Sequence, residues 1–573
     1  MRRKMRHLTK TILCALALAA LVVSGVSTTR GFEPIDKSEV SVYDARLIPA
    51  PTETRYGLGI VVLNSQLRCS LILPNDFTRD AAFDAGLETI REQVGKNFDV
   101  DFKFDVKTIA EIAKEIENNP SRTDDELEFV KKLAAEDEIL KTANAYRCLA
   151  VRDQSVAADA SPKEWTARQS DSSGALYIAS RDLAGFRDAF KTLRQLSETF
   201  CDTATTATSK YFIPEHEIAD APKIAFRGLH LCWFPETRAD EIERSIRIAA
   251  YYKFNYIVLE FWGVYPFEAN EALYWKERCT SKEEARRLVA LGKDLGVELI
   301  PQLNLFGHAP NARAASAKHT ALDFHPELEP LFEPDGWTWN IYNPAARDLL
   351  TKCVLELYET FDRPRYFHIG CDEAYSAGAS FFARRQGGYV DALADWLVHF
   401  HDLLKERDCR VMMWHDMLVE SKDFKGYTTG GNQKTRGLID RLPKDVVICD
   451  WQYGSPKENE EWPTTSYFME KGFDVLGCPW NDLNGIRSIS ANVQKKGAFG
   501  VLCTTWHTFY GDTMKNVLVV GANWAWGTRY RGSNYSWPFQ RHLRQALQDS
   551  ETKNYRTNGL NDWQVPIDTN VPY

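Results

Sequence analysis

Residues 366–375 read Tyr366-Phe367-His368-Ile369-Gly370-Cys371-Asp372-Glu373-Ala374-Tyr375, and the fold turns on how they are taken. An apolar run of strand character reaches a glycine and then presents two adjacent carboxylates, which is how an α/β barrel delivers acid groups to its mouth. Taken alone, such a pair at a strand end is more often a solvated turn or a helix cap than a catalytic site. The order of the segments around it decides between these readings.

Outward from that stretch, strand-like runs alternate with helical ones. Upstream lie Gly228–Trp233, the helical stretch Ala239–Tyr252, Asn255–Phe261, the helical stretch Lys282–Leu295, Val297–Gln302 and the helical stretch Pro344–Phe361. Downstream lie the helical stretch Asp391–Glu406 and then Cys409–Trp414, Val446–Trp451, Phe473–Cys478 and Gly500–Trp506. Eight strands with intervening helices over roughly 300 residues match the size of a (β/α)8 TIM barrel, and Asp372-Glu373 closes the fourth. A doubly wound open sheet would alternate in the same way, so the strand count and the position of polar and aromatic residues carry the choice. Trp262, His308, Asp372, Glu373, Trp414, Asp416, Trp451, Tyr453, Trp480, Asn481, Trp506 and Tyr510 all fall at carboxyl ends of strands, where barrel enzymes build their sites. Tryptophans from several different strand ends make a ring-walled, mostly neutral pocket suited to the apolar faces of a pyranose.

A smaller mixed α/β domain is expected before the barrel, over 34–220, with strands at Ile60–Leu63, Leu71–Leu73 and Ala175–Ala179. A helical stretch is read from Phe104 to Arg147, and another from Leu183 to Phe200. The polar, proline-bearing segment Ile218–Phe226 marks the junction. The barrel then takes 221–573 with a C-terminal extension. Only Trp165 of the 16 tryptophans precedes residue 220, so sugar-facing rings belong to the second domain.

Arg2, Arg3, Lys4, Arg6 and Lys10 precede the apolar run Ile12–Val23 and the small residues Ser24, Gly25 and Ser27. This is the pattern of a signal peptide over 1–27, too short to span a bilayer comfortably, and it implies an exported protein, periplasmic or secreted. Removing those five basic residues takes the formal charge from −9 to −14. An acidic chain without a basic cluster in its sequence is poorly suited to nucleic acid or to an anionic membrane after leader removal. Of 12 cysteines, 11 follow the leader. Cys232, Cys371, Cys449, Cys478 and Cys503 lie in or beside apolar runs as small hydrophobes, and no ligand spacing for a metal appears. No cofactor is implied. The oligomeric state is left open, a homodimer included.

At this point the sequence resembles glycoside hydrolase family 20, the β-N-acetylhexosaminidases, over most of the mature chain. His368-Ile369-Gly370-Cys371-Asp372-Glu373 looks like the family's His-x-Gly-x-Asp-Glu signature, Phe226-Arg227-Gly228-Leu229 like its opening Arg-Gly strand, and Gly307-His308 like its Pro-Gly-His segment. The segment Gly185–Leu196 is similar to the helix that closes the family's N-terminal domain. Leu259–Glu268, Leu305–His308 and Trp414–Leu418 look most like the hexosaminidase D branch. The strand-one aspartate of the main family is Cys232 here, its strand-eight Trp-Gly-Glu reads Trp506-His507-Thr508, and its acetamido-binding tyrosine has no counterpart around Cys478–Asp482. Trp480, Asn481 and Tyr510 are the candidate replacements.

The resemblance implies an exo-acting enzyme that removes terminal β-linked N-acetylglucosamine or N-acetylgalactosamine from glycans, with retention of configuration. In this family the substrate's own 2-acetamido oxygen is the nucleophile, so one positioned carboxylate and one general acid suffice. Asp372 would orient the acetamido group and Glu373 would protonate the leaving oxygen. Arg227 would hold sugar hydroxyls, Trp414, Trp451 and Trp506 would enclose the acetamido methyl and sugar face, His308 would relay a proton or support the pair, unless it is a buried histidine that satisfies a neighbouring loop, and Tyr375 and Asp416 are candidates for polar contacts. Tyr453, Trp480, Asn481 and Tyr510 complete the expected substrate contacts. Alternatives are a barrel that binds glycans without cleaving them and a retaining glycosidase with a protein nucleophile. Both carboxylates reach one pocket only if the chain bends at Gly370, because side chains alternate along a strand.

Overall fold

The computed structural model describes residues 42–551 apart from 136–137, 153–173, 200–210, 236, 310–320, 455–460 and 507–510. The leader expected at 1–27, Trp165 and Tyr510 therefore lie outside the described residues. The first body is a mixed sheet of seven strands: β1 (Glu53–Leu63), β2 (Arg68–Leu73), β3 (Phe104–Thr108), β4 (Tyr146–Arg152), β5 (Gly174–Ser180), β6 (Glu198–Thr199) and β7 (Tyr211–Asp220). The path runs β1-β7-β4-β5-β2-β3 with β6 beside β7.

Alternation along β4 shows how the sheet buries both faces. Cys148 and Ala150 join the helices Ala81–Phe98 and Leu183–Leu196 in one core, while Leu149 and Val151 join Ile112, Ile116, Phe129 and Val130 in another. The single helical stretch expected from Phe104 to Arg147 is thereby corrected, since it opens on β3 and closes on β4. What lies between is two helices, Ile109–Asn118 and Asp124–Ala134. Each is started by a capping box, Thr108 with Glu111 and Thr123 with Glu126, a signal written in the sequence as Thr-x-x-Glu.

The second body is a closed parallel barrel of β8 (Phe226–Trp233), β9 (Tyr256–Phe261), β10 (Glu298–Gln302), β11 (Tyr366–His368), β12 (Arg410–Trp414), β13 (Val447–Trp451), β14 (Asp474–Cys478) and β15 (Gly500–Thr504). Inward positions are filled by Val258, Ile300, Met412, Val447, Leu476 and Leu502. The rings of Phe226, Tyr256, Tyr366 and Phe499 pack together at the amino-terminal end. Outward positions such as Leu229, Leu231, Ile257 and Leu259 pack against the surrounding helices.

The two bodies meet on a buried charge. Asp220 accepts from Lys253 Nζ at 2.8 Å, Trp526 Nε1 at 2.6 Å and Thr52 N at 3.1 Å, and Lys253 also donates to Tyr146 Oη at 3.1 Å. A fully buried pair of this kind contributes more to a unique docking geometry than to net stability. No disulfide joins any of the ten cysteines among the described residues. No helix among the described residues is long and apolar enough to cross a membrane.

Candidate active site

The bend at Gly370 is present, and it is sharper than one glycine requires. β11 leaves the sheet at His368; Gly370, Cys371 and Glu373 then take φ of 64°, 75° and 46°. A Cβ at Gly370 would come within 1.9 Å of Asn304 Oδ1, so only glycine fits there. His308 (φ 49°) and Trp506 (φ 46°) share the same left-handed conformation. Non-glycine residues held in this region concentrate where a fold invests strain in function.

The turn brings both carboxylates to one imidazole. His308 Nε2 lies 3.4 Å from Asp372 Oδ2 and 3.1 Å from Glu373 Oε2. The Glu373 peptide is gripped from both sides: Asp416 Oδ2 accepts its N–H at 2.9 Å, and Trp337 Nε1 donates to its carbonyl at 2.6 Å. Asp416 is itself fixed from the adjoining loop, because its backbone carbonyl accepts from Gly430 N at 2.8 Å and Gly431 N at 2.9 Å. Burial, with the Asp372 charge beside it, pushes the Asp416 carboxyl up to about 8. It thus carries a proton where an exposed aspartate would not. Trp337, absent from the sequence expectations, also stacks on Tyr375 with ring centroids 6.0 Å apart.

Aromatic rings form the opposite wall. Tyr453 lies 5.1 Å from Trp451 and 5.3 Å from Trp480, and its hydroxyl accepts from Trp506 Nε1 at 2.5 Å. Trp414 is fully buried, packed 4.3 Å from His368 and 5.5 Å from Trp506. Asn481 is half-buried next to Trp480, and its side chain makes no hydrogen bond among the described residues.

Arg227 does not join this site. It is the second residue of β8, at the closed end of the barrel, and alternation turns it outward. Its guanidinium donates to Lys253 O at 3.0 Å and to Ile224 O and Ala225 O at 2.9 and 3.2 Å, with Trp526 4.9 Å beneath. The expected grip on sugar hydroxyls is corrected accordingly: Arg227 holds backbone carbonyls between the barrel and its last helices.

A polar cluster that the sequence expectations missed sits among the inward-facing residues. Glu260 Oε2 accepts from His230 Nε2 at 3.0 Å and Cys232 Sγ at 3.3 Å, and its Oε1 accepts from Asn304 Nδ2 at 2.7 Å. Gln302 and His368 complete it. A glutamate in the apolar run Tyr256–Phe261 was the available signal, since a charge on a buried strand needs partners. The ligand atoms of His230, Cys232 and Glu260 lie within 4.8 Å of one another and could hold a divalent cation, although hydrogen bonds already join the same atoms. His230 adjoins Trp506 at 4.8 Å, which links this cluster to the ring wall.

Several buried polar atoms around the mouth lack a hydrogen-bond partner among the described residues: His230 Nδ1, Gln302 Oε1, His368 Nε2, Asp372 Oδ1, Trp414 Nε1, Asp416 Oδ1 and Trp451 Nε1. Each such atom costs about 1–3 kcal/mol when left dry. Gathered from β8 and the ends of β10 to β13, they suit a ligand rich in hydroxyl and amide groups.

The sequence profile described as "Glycosyl hydrolase family 20, catalytic domain" matches residues 263–510. That segment begins in the loop after β9 and ends beyond β15, and over it the chain is similar to glycosyl hydrolase family 20. The chain is 26% identical to lacto-N-biosidase of Bifidobacterium bifidum over 320 residues, covering 52% of this chain and 25% of that protein. It is also 26% identical to hexosaminidase D of Bos taurus over 208 residues, covering 35% and 55% respectively. The chain thus spans a quarter to about half the length of these curated relatives. Among solved structures, β-N-acetylhexosaminidase from Bacteroides fragilis superposes with a TM-score of 0.56 at 15% identity, covering 91% of this chain and 100% of that one. An exo β-N-acetylglucosaminidase from Vibrio harveyi gives 0.57 at 15% identity, covering 91% and 79%. At these identities the likeness establishes the fold.

Proposed function

We propose that the protein is an exo-acting β-N-acetylhexosaminidase that releases terminal β-linked N-acetylglucosamine or N-acetylgalactosamine by substrate-assisted retaining catalysis. The observation that carries this reading is the convergence of Asp372 and Glu373 on His308 Nε2, at 3.4 and 3.1 Å, inside a mouth walled by tryptophans.

In this reading Glu373 donates its proton to the glycosidic oxygen while the substrate's acetamido oxygen attacks the anomeric carbon. The C1–oxygen bond to the leaving group breaks and an oxazolinium ion forms. Asp372 stabilises the positive charge that develops on the acetamido nitrogen. Water then adds at C1, Glu373 takes its proton, and the acetamide is regenerated with the product in its original configuration. Asp416 supports this division of labour by accepting the Glu373 N–H at 2.9 Å, which fixes the peptide between the two carboxylates. His308 would hold both carboxylates in register, and Trp451 and Trp506 would enclose the ring and the acetamido methyl. The acidic mature charge and the leader pattern support export of the enzyme to meet a neutral glycan outside the cytoplasm.

A thiazoline analogue of the oxazoline tests the reading. Strong competitive inhibition of hydrolysis is expected, together with turnover of aryl glycosides of one or both N-acetylhexosamines. Binding of the analogue without turnover of any glycoside would instead indicate a glycan-binding barrel, and turnover that the analogue does not inhibit would indicate a protein nucleophile.

A further inference from the structure

A second cleft lies away from the barrel mouth, between the first body and the helix Ser536–Ala546. Its volume is about 820 Å³, within the range of saccharide and cofactor sites. Four arginines line it, Arg46, Arg194, Arg541 and Arg544, against one carboxylate among the described residues, Glu198. The protein as a whole is acidic, with a formal charge of −9, so this cleft concentrates charge of the opposite sign.

The clustering is not explained by local pairing. Arg46 meets Glu198 at 2.5 Å, which uses the one acid that lines the cleft among the described residues. Arg541 donates to the carbonyls of Gln195 and Ser197. Burial, together with the neighbouring Arg46 and Arg194 guanidiniums, holds it below the ordinary arginine range. Arg194, only 5% exposed, donates to the neutral partners Ser197 Oγ at 3.2 Å and Gln548 Oε1 at 2.5 Å and lies 4.6 Å over the Tyr211 ring; its Nε has no partner among the described residues. Arg544 has no ion-pair partner among the described residues. Like charges gathered at this density repel, and a bound anion removes the penalty.

The rings at the same cleft narrow the chemistry. Trp537, 81% exposed, lines the cleft with Tyr211 and Tyr530. Guanidiniums offer paired donors to sulfate or carboxylate, and exposed aromatic faces suit sugar rings. We propose that this cleft is a secondary binding site for an anionic saccharide, carrying sulfate esters or uronate carboxylates, that tethers the protein to an acidic glycan. The site does not depend on the catalytic reading of the barrel mouth.

Calorimetric titration of the full chain at low salt tests it with three probes: a heparin tetrasaccharide, tetragalacturonate and neutral cellotetraose. At least one anionic probe should bind, with affinity falling as salt is raised, and cellotetraose should not. Binding of the first alone assigns sulfate, and of the second alone, carboxylate. Arg544→Glu should weaken that binding about tenfold or more, and Trp537→Ala should weaken it as well, while hydrolysis of an aryl glycoside is unchanged in both. Both positions are exposed, so folding is preserved. Absence of binding by either anionic probe, equal binding of cellotetraose, or unaltered affinity in the Arg544→Glu protein would overturn the proposal.

Discussion

Asp416 accepts the backbone N–H of Glu373 at 2.9 Å, so the loop after β12 fixes the peptide on which the Asp372-Glu373 turn is built. The same carboxyl is raised to about 8 by its burial and by the charge of Asp372. The backbone geometry of the acid pair is therefore held by a residue that lies outside the dipeptide.

A pH dependence follows with a defined sign. An acid whose folded-state pKa is raised contributes stability that is full below the ordinary value, 3.8 for this side chain, and is lost as pH rises towards about 8. Asp416→Asn keeps an acceptor for the Glu373 N–H and removes the titration. Its melting temperature relative to the wild type should rise by about a few degrees between pH 4 and pH 8. Parallel curves in a thermal melt series across that range would reassign the proton to another group.

The ring wall separates binding from packing. Trp451, half-buried beside Tyr453, should on truncation to alanine weaken substrate binding by roughly 1–3 kcal/mol with the fold intact. Trp414, fully buried between His368 and Trp506, should on the same change lose about 3–5 kcal/mol of stability. Steady-state kinetics together with chemical denaturation distinguish the two, and an unchanged KM in a folded Trp451→Ala protein would place that ring in the core.

Arg227 provides the complementary case. Its three carbonyl partners lie at the closed end of the barrel, so Arg227→Ala should cost about 2–5 kcal/mol of stability while leaving the KM of the folded fraction unchanged. A raised KM without a loss of stability would return Arg227 to the sugar site.

The barrel was legible because its strands are apolar runs bounded by helical stretches, and because Gly370 precedes two carboxylates. Periodicity gave the strand ends, and the strand ends gave most of the mouth. Arg227 was misread for a physical reason: the motif supplies a residue type, but alternation from the buried Phe226 sends the next side chain outward. Glu260 and His230 were passed over inside apolar runs, where inward and outward positions are both hydrophobic and one charge does not disturb the pattern. Trp337 was out of reach because it belongs to the long connection after β10, whose path is set by tertiary contact with Glu373 and not by local sequence. In the first body, β3 and β4 flank a stretch rich in Ala, Glu, Lys and Leu, and only the capping boxes at Thr108 and Thr123 mark in the sequence where its helices begin.

The division of roles between the adjacent carboxylates is most directly tested by a leaving-group series measured on Glu373→Gln and Asp372→Asn. Glu373→Gln should lose most activity on glycosides with poor leaving groups and retain more on activated aryl glycosides, whose departure needs little protonation. Asp372→Asn should slow both kinds alike, because acetamido attack accompanies departure of either group. The same dependence on leaving-group acidity in both variants, or full activity in both, would contradict the account.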